Sequence, residues 1–231
     1  MPAYLYCVLP AEAPDPAVNG IDDAPLRALR AGAACAWVAD VSVAPQPDLE
    51  RIRAHDRVVR AAMATGFTPV PVRFGQVAAS DDDVLAHLQS RDYRADLERV
   101  SGCVEFGIRI VDPEAHASGE ADSDPPPVPD GEQAGAGAAY MRTLAARVHA
   151  AERSRTRSLD AARAIDAALA SGVREARVES SDHPPGAVVA HLVQAAAADA
   201  YAERARDLAR GHPPLRIVVT GPWPPYSFVG T

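Results

Sequence analysis

Hydrophobic and polar positions change period repeatedly along this chain, and each change predicts an element. Ala3 to Leu9 alternate among β-formers and predict an opening strand, which Pro10, Pro14 and Pro16 then stop. Asp22 to Ala31 predicts a short helix, and Ala34 to Val43 predicts a second strand closed by Pro45 and Pro47. From Asp48, a residue suited to an N-cap, Leu49, Ile52, Val59 and Met63 recur at helical spacing up to Gly66. Thr68 to Phe74 reads as an extended, proline-flanked segment. Ser80-Asp81-Asp82-Asp83 opens another helix carrying Val84, Leu85 and Leu88, and a shorter helix lies around Asp92 to Val100.

Cys103 to Val111 predicts a further strand, after which large apolar residues nearly vanish. Residues 112–137 hold Pro125-Pro126-Pro127, several acids and an Ala-Gly alternation. Such a stretch buries too little surface to offset its ordering entropy, so it reads as a flexible acidic loop. A long helix follows over Ala138 to Ser171, with Leu144, Val148, Leu159, Ala162, Ile165 and Leu169 near one face and arginines and acids on the other. Val173 to Glu179 and Ala187 to Val193 predict strands joined by a turn at Asp182 to Gly186. Ala195 to Arg210 predicts a helix closed by Gly211, and Leu215 to Thr220 the last strand. The second half thus runs β-α-β-β-α-β, the order of a ferredoxin-like unit. The expected class is α+β with two domains: residues 1–101 form an N-terminal α+β domain, and residues 102–231 a C-terminal ferredoxin-like domain with a long helix.

The chain then ends in Gly221-Pro222-Trp223-Pro224-Pro225-Tyr226-Ser227-Phe228, where three prolines fix the backbone and three aromatic rings offer apolar area. Such a turn serves either as a lid over an apolar edge or as a docking surface for another protein. It resembles the terminal signature of the gas vesicle L/F accessory proteins. Further pieces match that family in order: Tyr4-Leu5-Tyr6, His55-Asp56, Thr68-Pro69-Val70-Pro71-Val72-Arg73-Phe74-Gly75, Val104-Glu105-Phe106-Gly107, Gly137-Ala138-Ala139-Tyr140-Met141 and Ala190-His191-Leu192-Val193. The resemblance implies a modified ferredoxin-like C-terminal domain behind a separate α+β domain. It also implies an accessory or minor structural protein that binds the small hydrophobic shell protein, or other gas vesicle proteins, and supports vesicle nucleation and assembly. The residues marked for such interactions are Arg73, Phe74 and Gly75 in the loop and Gly221, Pro222, Trp223, Pro224, Pro225 and Tyr226 at the end.

Composition narrows the alternatives. The 231 residues are 48% hydrophobic but only 5% aromatic, which predicts close-packed, alanine-rich cores without large aromatic clusters. The formal charge is −8 and every basic residue is arginine, a poor balance for nucleic acid or an anionic membrane. Three widely spaced cysteines predict reduced, buried thiols, and the opening residues lack the basic start of a signal peptide, so the expected place is the cytoplasm; the resemblance implies the gas vesicle as well.

Candidate chemistry is sparse. The absence of lysine excludes a P-loop or Schiff-base enzyme, and Gly135-Ala136-Gly137 lacks the third glycine of a dinucleotide fingerprint. His55 and Asp56 are adjacent, and on a helix they point about 100° apart, a poor geometry for a general base and its partner. Asp81 to Asp83 suit a helix N-terminus better than a cation site. Arg73, between Val72 and Phe74, predicts an internal salt bridge that fixes its loop. The expectation is a non-enzyme with no cofactor or metal; the alternative is a small-molecule enzyme or regulator, with converging groups around His55, Asp56 and Arg73. An RNA-binding sheet would need exposed aromatics, and the candidate central strands offer only Phe106.

Overall fold

A computed structural model describes residues 1–113, 133–182 and 185–229. Its elements are β1 (Ala3–Pro10), β2 (Leu26–Ala31), β3 (Ala34–Asp40), α1 (Leu49–Ala64), β4 (Val70–Pro71), β5 (Val77–Ala78), α2 (Asp81–Ser90), α3 (Arg94–Val100), β6 (Cys103–Val111), α4 (Gln133–Leu169), β7 (Glu175–Asp182), β8 (Pro185–Gln194), α5 (Ala198–Arg210) and β9 (Arg216–Trp223). The architecture is α+β. Two compact units emerge: Met1–Phe106 with Leu192–Ala198 and Gly221–Thr231, and Gly107–His191 with Asp199–Thr220.

The first unit is built on a sheet of order β2-β3-β1-β4, with β5 also pairing β1. β1 and β3 run antiparallel, Tyr4 opposite Ala39 and Leu9 opposite Cys35, with an irregularity between Leu5 and Cys7. Nearly every side chain of both strands is buried, so the alternation read in Ala3 to Leu9 does not separate a buried face from an exposed one. α1 starts where expected: the Asp48 carboxylate accepts from the Arg51 amide at 2.8 Å. Ser80 caps α2 in the same way, its hydroxyl accepting from the Asp83 amide at 3.2 Å.

The helix expected over Asp22 to Ala31 does not form. A single 3-10 turn occupies Ile21–Asp23, and Leu26–Ala31 is the edge strand β2, paired antiparallel with β3. Asp22 and Asp23 lie at φ 53° and 62°, a left-handed conformation from which a right-handed helix cannot propagate. Gly32, at φ 57°, then permits the tight turn into β3.

The expectation of a core without large aromatic clusters also fails. Tyr4 and Tyr6 lie edge to face at 4.8 Å, and His55 and Phe74 join them within 6 Å. A low average composition hides the fact that the few aromatics are concentrated in one place. The cysteines agree with expectation: Cys7, Cys35 and Cys103 are buried thiols outside any disulfide.

The second sheet has the order β7-β8-β6-β9. α4 begins at Gln133, five residues earlier than expected, and its 37 residues span about 55 Å. The acidic loop expected over 112–137 therefore needs correction at both ends. Asp112 is fully buried and ion-paired with Arg157, and Gln133 to Gly137 are helical because no proline follows Pro129 to stop the alanine-rich run. The intervening residues 114–132 lie outside the described residues, as do 183 and 184 in the turn expected at Asp182 to Gly186. The C-terminal half of α4 supplies Ala162, Ile165 and Leu169 to the core of this unit.

His191 on β8 is wholly buried between Asp166 of α4 and Tyr201 of α5. Its Nε2–H donates to the Asp166 carboxylate at 3.0 Å, which leaves Nδ1 to accept from the Tyr201 hydroxyl at 2.6 Å. Strand spacing in this unit depends on Gly186. A Cβ there would stand 2.2 Å from the Ile110 carbonyl oxygen, a backbone atom that cannot swing aside. We expect Gly186→Ala to lose about 2 kcal/mol or more of unfolding free energy in urea titrations. An unchanged midpoint would contradict this close packing.

Candidate functional site

The terminal motif begins as strand, because β9 runs three residues beyond the expected end at Thr220. Gly221, at φ 122°, passes so close to β6 that a Cβ would meet the Glu105 carbonyl oxygen at 2.8 Å and Phe106 Cδ1 at 2.9 Å. Only glycine fits. Pro224 and Pro225 are buried, a 3-10 turn covers Tyr226–Phe228, and Phe228 and Val229 enter the core.

The turn is fastened by Glu105, a carboxylate only 9% exposed within the apolar run Val104 to Ile108. Its two oxygens accept from the Ser227 amide at 2.8 Å and the Ser227 hydroxyl at 2.7 Å. Arg99 of α3 donates to the Phe228 carbonyl at 3.0 Å. Arg60 of α1 donates to the Pro222 carbonyl at 3.3 Å and lies 4.6 Å over the Trp223 ring, while its Nε donates to Asp56 at 2.6 Å. Trp223 remains 39% exposed. Burial pushes the Tyr226 hydroxyl well above the ordinary phenol range, with the Asp56 charge adding to that.

The Arg73-Phe74-Gly75 loop divides its residues by environment. Phe74 is half-buried, edge to face with Tyr4 and His55 at 5.9 Å each. Gly75, at φ 93°, donates its amide to the Tyr4 hydroxyl at 3.1 Å. Arg73 is exposed and has no carboxylate partner among the described residues, so the salt bridge expected for it is absent there. The flanking Val72 and Phe74 turn away from it into the protein, and the guanidinium keeps its water.

His55 explains why this loop is fixed without an ion pair. The Val72 carbonyl can only accept, so Nε2 carries the proton and donates to it at 2.9 Å. Nδ1 then accepts from the Tyr4 hydroxyl at 2.9 Å. The resulting chain, Gly75 amide to Tyr4 to His55 to Val72, closes on itself with every polar group satisfied. His55 is 3% exposed, and burial lowers its pKa below 6.5 despite opposing contributions from Val72 and Asp56. His55, Asp56 and Arg73 do not converge: the first is consumed in this network, the second by Arg60, and the third faces solvent.

The acidic start of α2 makes different use of its charges. Arg27 donates to Asp81 at 2.5 and 3.1 Å and to Asp40 at 2.7 Å, which holds the Asp81 carboxyl below its usual range. A shallow depression of about 390 Å³ lies beside this pair, lined by Met1, Asp82 and Ser80 as well. Among the described residues no group of three or more His, Cys, Asp or Glu is placed to hold a metal ion, and no helix is long and apolar enough to cross a membrane.

The sequence reading marked Phe74, Gly75 and the terminal turn but missed Glu105, Arg60 and Tyr4, which hold them. A charged residue inside the apolar run Val104 to Ile108 was the available signal, since a buried carboxylate requires partners.

With this geometry in hand, comparison places the chain. The model of the family described as "Gas vesicle synthesis protein GvpL/GvpF" matches residues 2–230, and the chain belongs to that family. Gas vesicle protein F of Streptomyces sp. (strain CB03234) is 31% identical over 99% of this chain and 100% of that protein. Gas vesicle protein L2 of Halobacterium salinarum is 28% identical over 97% and 90% respectively. The crystal structure of GvpF from Anabaena sp. PCC7120 superposes with a TM-score of 0.71 at 17% identity, covering 100% of this chain and 96% of that one. GvpF from Microcystis aeruginosa gives 0.69 at 19% identity, with 98% of each chain covered.

Two predictions follow from the site. Glu105→Ala leaves the Ser227 amide and hydroxyl unsatisfied, and we expect a loss of about 2–3 kcal/mol, read in urea titrations with a red shift of Trp223 emission. A native-like spectrum and midpoint would refute the clamp. The second concerns pH. His55 and His191 both have pKa values lowered by burial, His191 despite the opposing Asp166, so the unfolded chain binds their protons more readily. Their contribution is complete above pH 6.5 and is lost as pH falls below it. Unfolding free energy should rise with pH across this window, by up to about 1.4 kcal/mol per pH unit for each histidine. His55→Gln should flatten the profile by one proton's share; an unchanged slope would show that His55 is not held neutral.

Proposed function

We propose that this protein acts in gas vesicle formation as an accessory or minor structural component, binding the small hydrophobic shell protein or other gas vesicle proteins and supporting nucleation and assembly. The observation that carries the reading is the family match across residues 2–230. The geometry is consistent with it: the motif residues shape and fix a surface, and the two deeply buried histidines are spent on internal hydrogen bonds. We read the protein as a non-enzyme, located at the gas vesicle and in the cytoplasm.

The same reading extends to the fold. We propose an N-terminal α+β domain followed, near residue 102, by a modified ferredoxin-like domain. The sheet order β7-β8-β6-β9, joined as β6-α4-β7-β8-α5-β9, supports this: numbered within the domain it reads 2-3-1-4. Trp223, braced by Arg60, is the part of the terminal turn left for a partner, while Phe228 and Val229 serve as the lid.

The test is complementation of a deletion strain together with binding to purified shell protein. The deletion should abolish or sharply reduce vesicles seen by electron microscopy. Trp223→Ala should fold normally by circular dichroism yet restore fewer vesicles and bind shell protein more weakly. Normal vesicles in the deletion strain, with no binding by the intact protein, would defeat the proposal.

A further inference from the structure

Asn19 is the only asparagine in the 231 residues, and Gly20 follows it. That pair is chemically reactive, because glycine has no side chain to hinder its own amide nitrogen as that atom attacks the asparagine side-chain carbon. Here the pair sits on a turn of the first unit. Asn19 and Pro25 form an antiparallel bridge, and the Gly20 amide donates to the Ala24 carbonyl at 2.8 Å. The nucleophile of the reaction is thus occupied as a hydrogen-bond donor in the folded protein.

Three further contacts hold the turn closed. The Ile21 amide donates to the Tyr6 hydroxyl at 2.8 Å, and the Ile21 side chain is buried. Asp22 accepts from Nε and Nη2 of Arg51 on α1, each at 3.1 Å. Gly20 packs so tightly that a Cβ would lie 2.2 Å from the Tyr6 hydroxyl oxygen. Asn19 itself is exposed, and its Nδ2 donates to Asp23 Oδ1 at 3.3 Å.

We propose that Asn19 is a self-modification site gated by this turn: it converts to aspartate or isoaspartate only while the turn is open, and the product disfavours closure. In the open state solvent base removes the Gly20 amide proton, and the nitrogen bonds to Asn19 Cγ. The Cγ–Nδ2 bond breaks, Nδ2 takes up a proton, and ammonia leaves. Water then opens the five-membered imide at either of its carbonyls. Aspartate puts a carboxylate where the amide stood, so the donor that faced Asp23 becomes a second negative charge. Isoaspartate lengthens the main chain by one carbon beside the Gly20 to Ala24 hydrogen bond, and the bridge to Pro25 loses its register. Either product loosens the hold of Ile21 on Tyr6, whose ring stacks on His55. The step runs one way.

The experiment incubates the full chain at neutral pH, folded in buffer and unfolded in urea, and follows the peptide holding residue 19 by mass spectrometry. The folded chain should convert at least about tenfold more slowly, because reaction waits on the small population of open turn. Arg51→Ala, a change confined to the surface, should speed conversion of the folded chain by up to about fivefold with an unchanged circular dichroism spectrum. Tyr6→Phe, which leaves the Ile21 amide without its acceptor, should speed it by about tenfold. Neither variant should alter the rate in urea. Asn19→Asp should raise hydrogen exchange at Gly20 and Ile21 by about tenfold, the readout of a turn that closes less well. Equal rates in the folded and unfolded chain, no conversion in urea, a folded-state rate indifferent to both variants, or unchanged exchange in Asn19→Asp would each overturn the proposal.

Discussion

The carboxylate of Glu105 is the interaction on which the candidate surface depends. A glutamate in the middle of a buried strand is costly unless its charge is fully engaged, and here both oxygens are taken up by one residue, Ser227, 122 positions later. That single requirement draws the end of the chain onto β6. Once it is there, Gly221 must be glycine, Phe228 fills core space, and Pro222 and Trp223 come within reach of Arg60. The prolines contribute by removing alternatives in the unfolded chain, so the clamp has less entropy to overcome. A rigid aromatic edge results from a buried polar demand, not from apolar collapse alone.

Each unit also contains a neutral imidazole held between a tyrosine hydroxyl and an acceptor: Tyr4, His55 and the Val72 carbonyl in one, Tyr201, His191 and Asp166 in the other. A Tyr-His-Asp arrangement invites a catalytic reading. Burial argues otherwise, because His191 is 0% and Tyr201 3% exposed, and a proton relay must reach a substrate. In both places the ring locks two elements distant in sequence, and its tautomer is dictated by which neighbour can only accept. These are specificity devices of the interior, satisfied completely and therefore rigid.

Much of the secondary structure was legible because it is written locally. Asp48 and Ser80 announce their helices through side chains that reach three residues ahead, and β1, β3 and β6 announce themselves through apolar β-formers. β2 was not legible: Leu26 to Ala31 suits either state, and its antiparallel pairing with β3 decides against the helix. The motif residues of the site could be marked, but of their supports only Glu105, a charge inside an apolar run, carried a local signal. Tyr4 finds His55 at a separation of 51 residues and Arg60 finds Pro222 at 162, and no periodicity carries such information. Arg73 shows the converse error. Apolar neighbours suggested a buried charge needing a partner, whereas alternate residues of an extended segment face opposite ways.

The distribution of charge connects fold to role more closely than any single motif. A net charge of −8 keeps a protein apart from its own copies and from other acidic surfaces. Against that background residues 133–157 hold five arginines and one acid, and one of the arginines, Arg157, is spent on the buried Asp112. The aromatic edge at Trp223 has no comparable field, with Arg60 already committed to Asp56. The turn therefore presents shape rather than charge: a half-exposed indole braced from one side and a proline-fixed backbone.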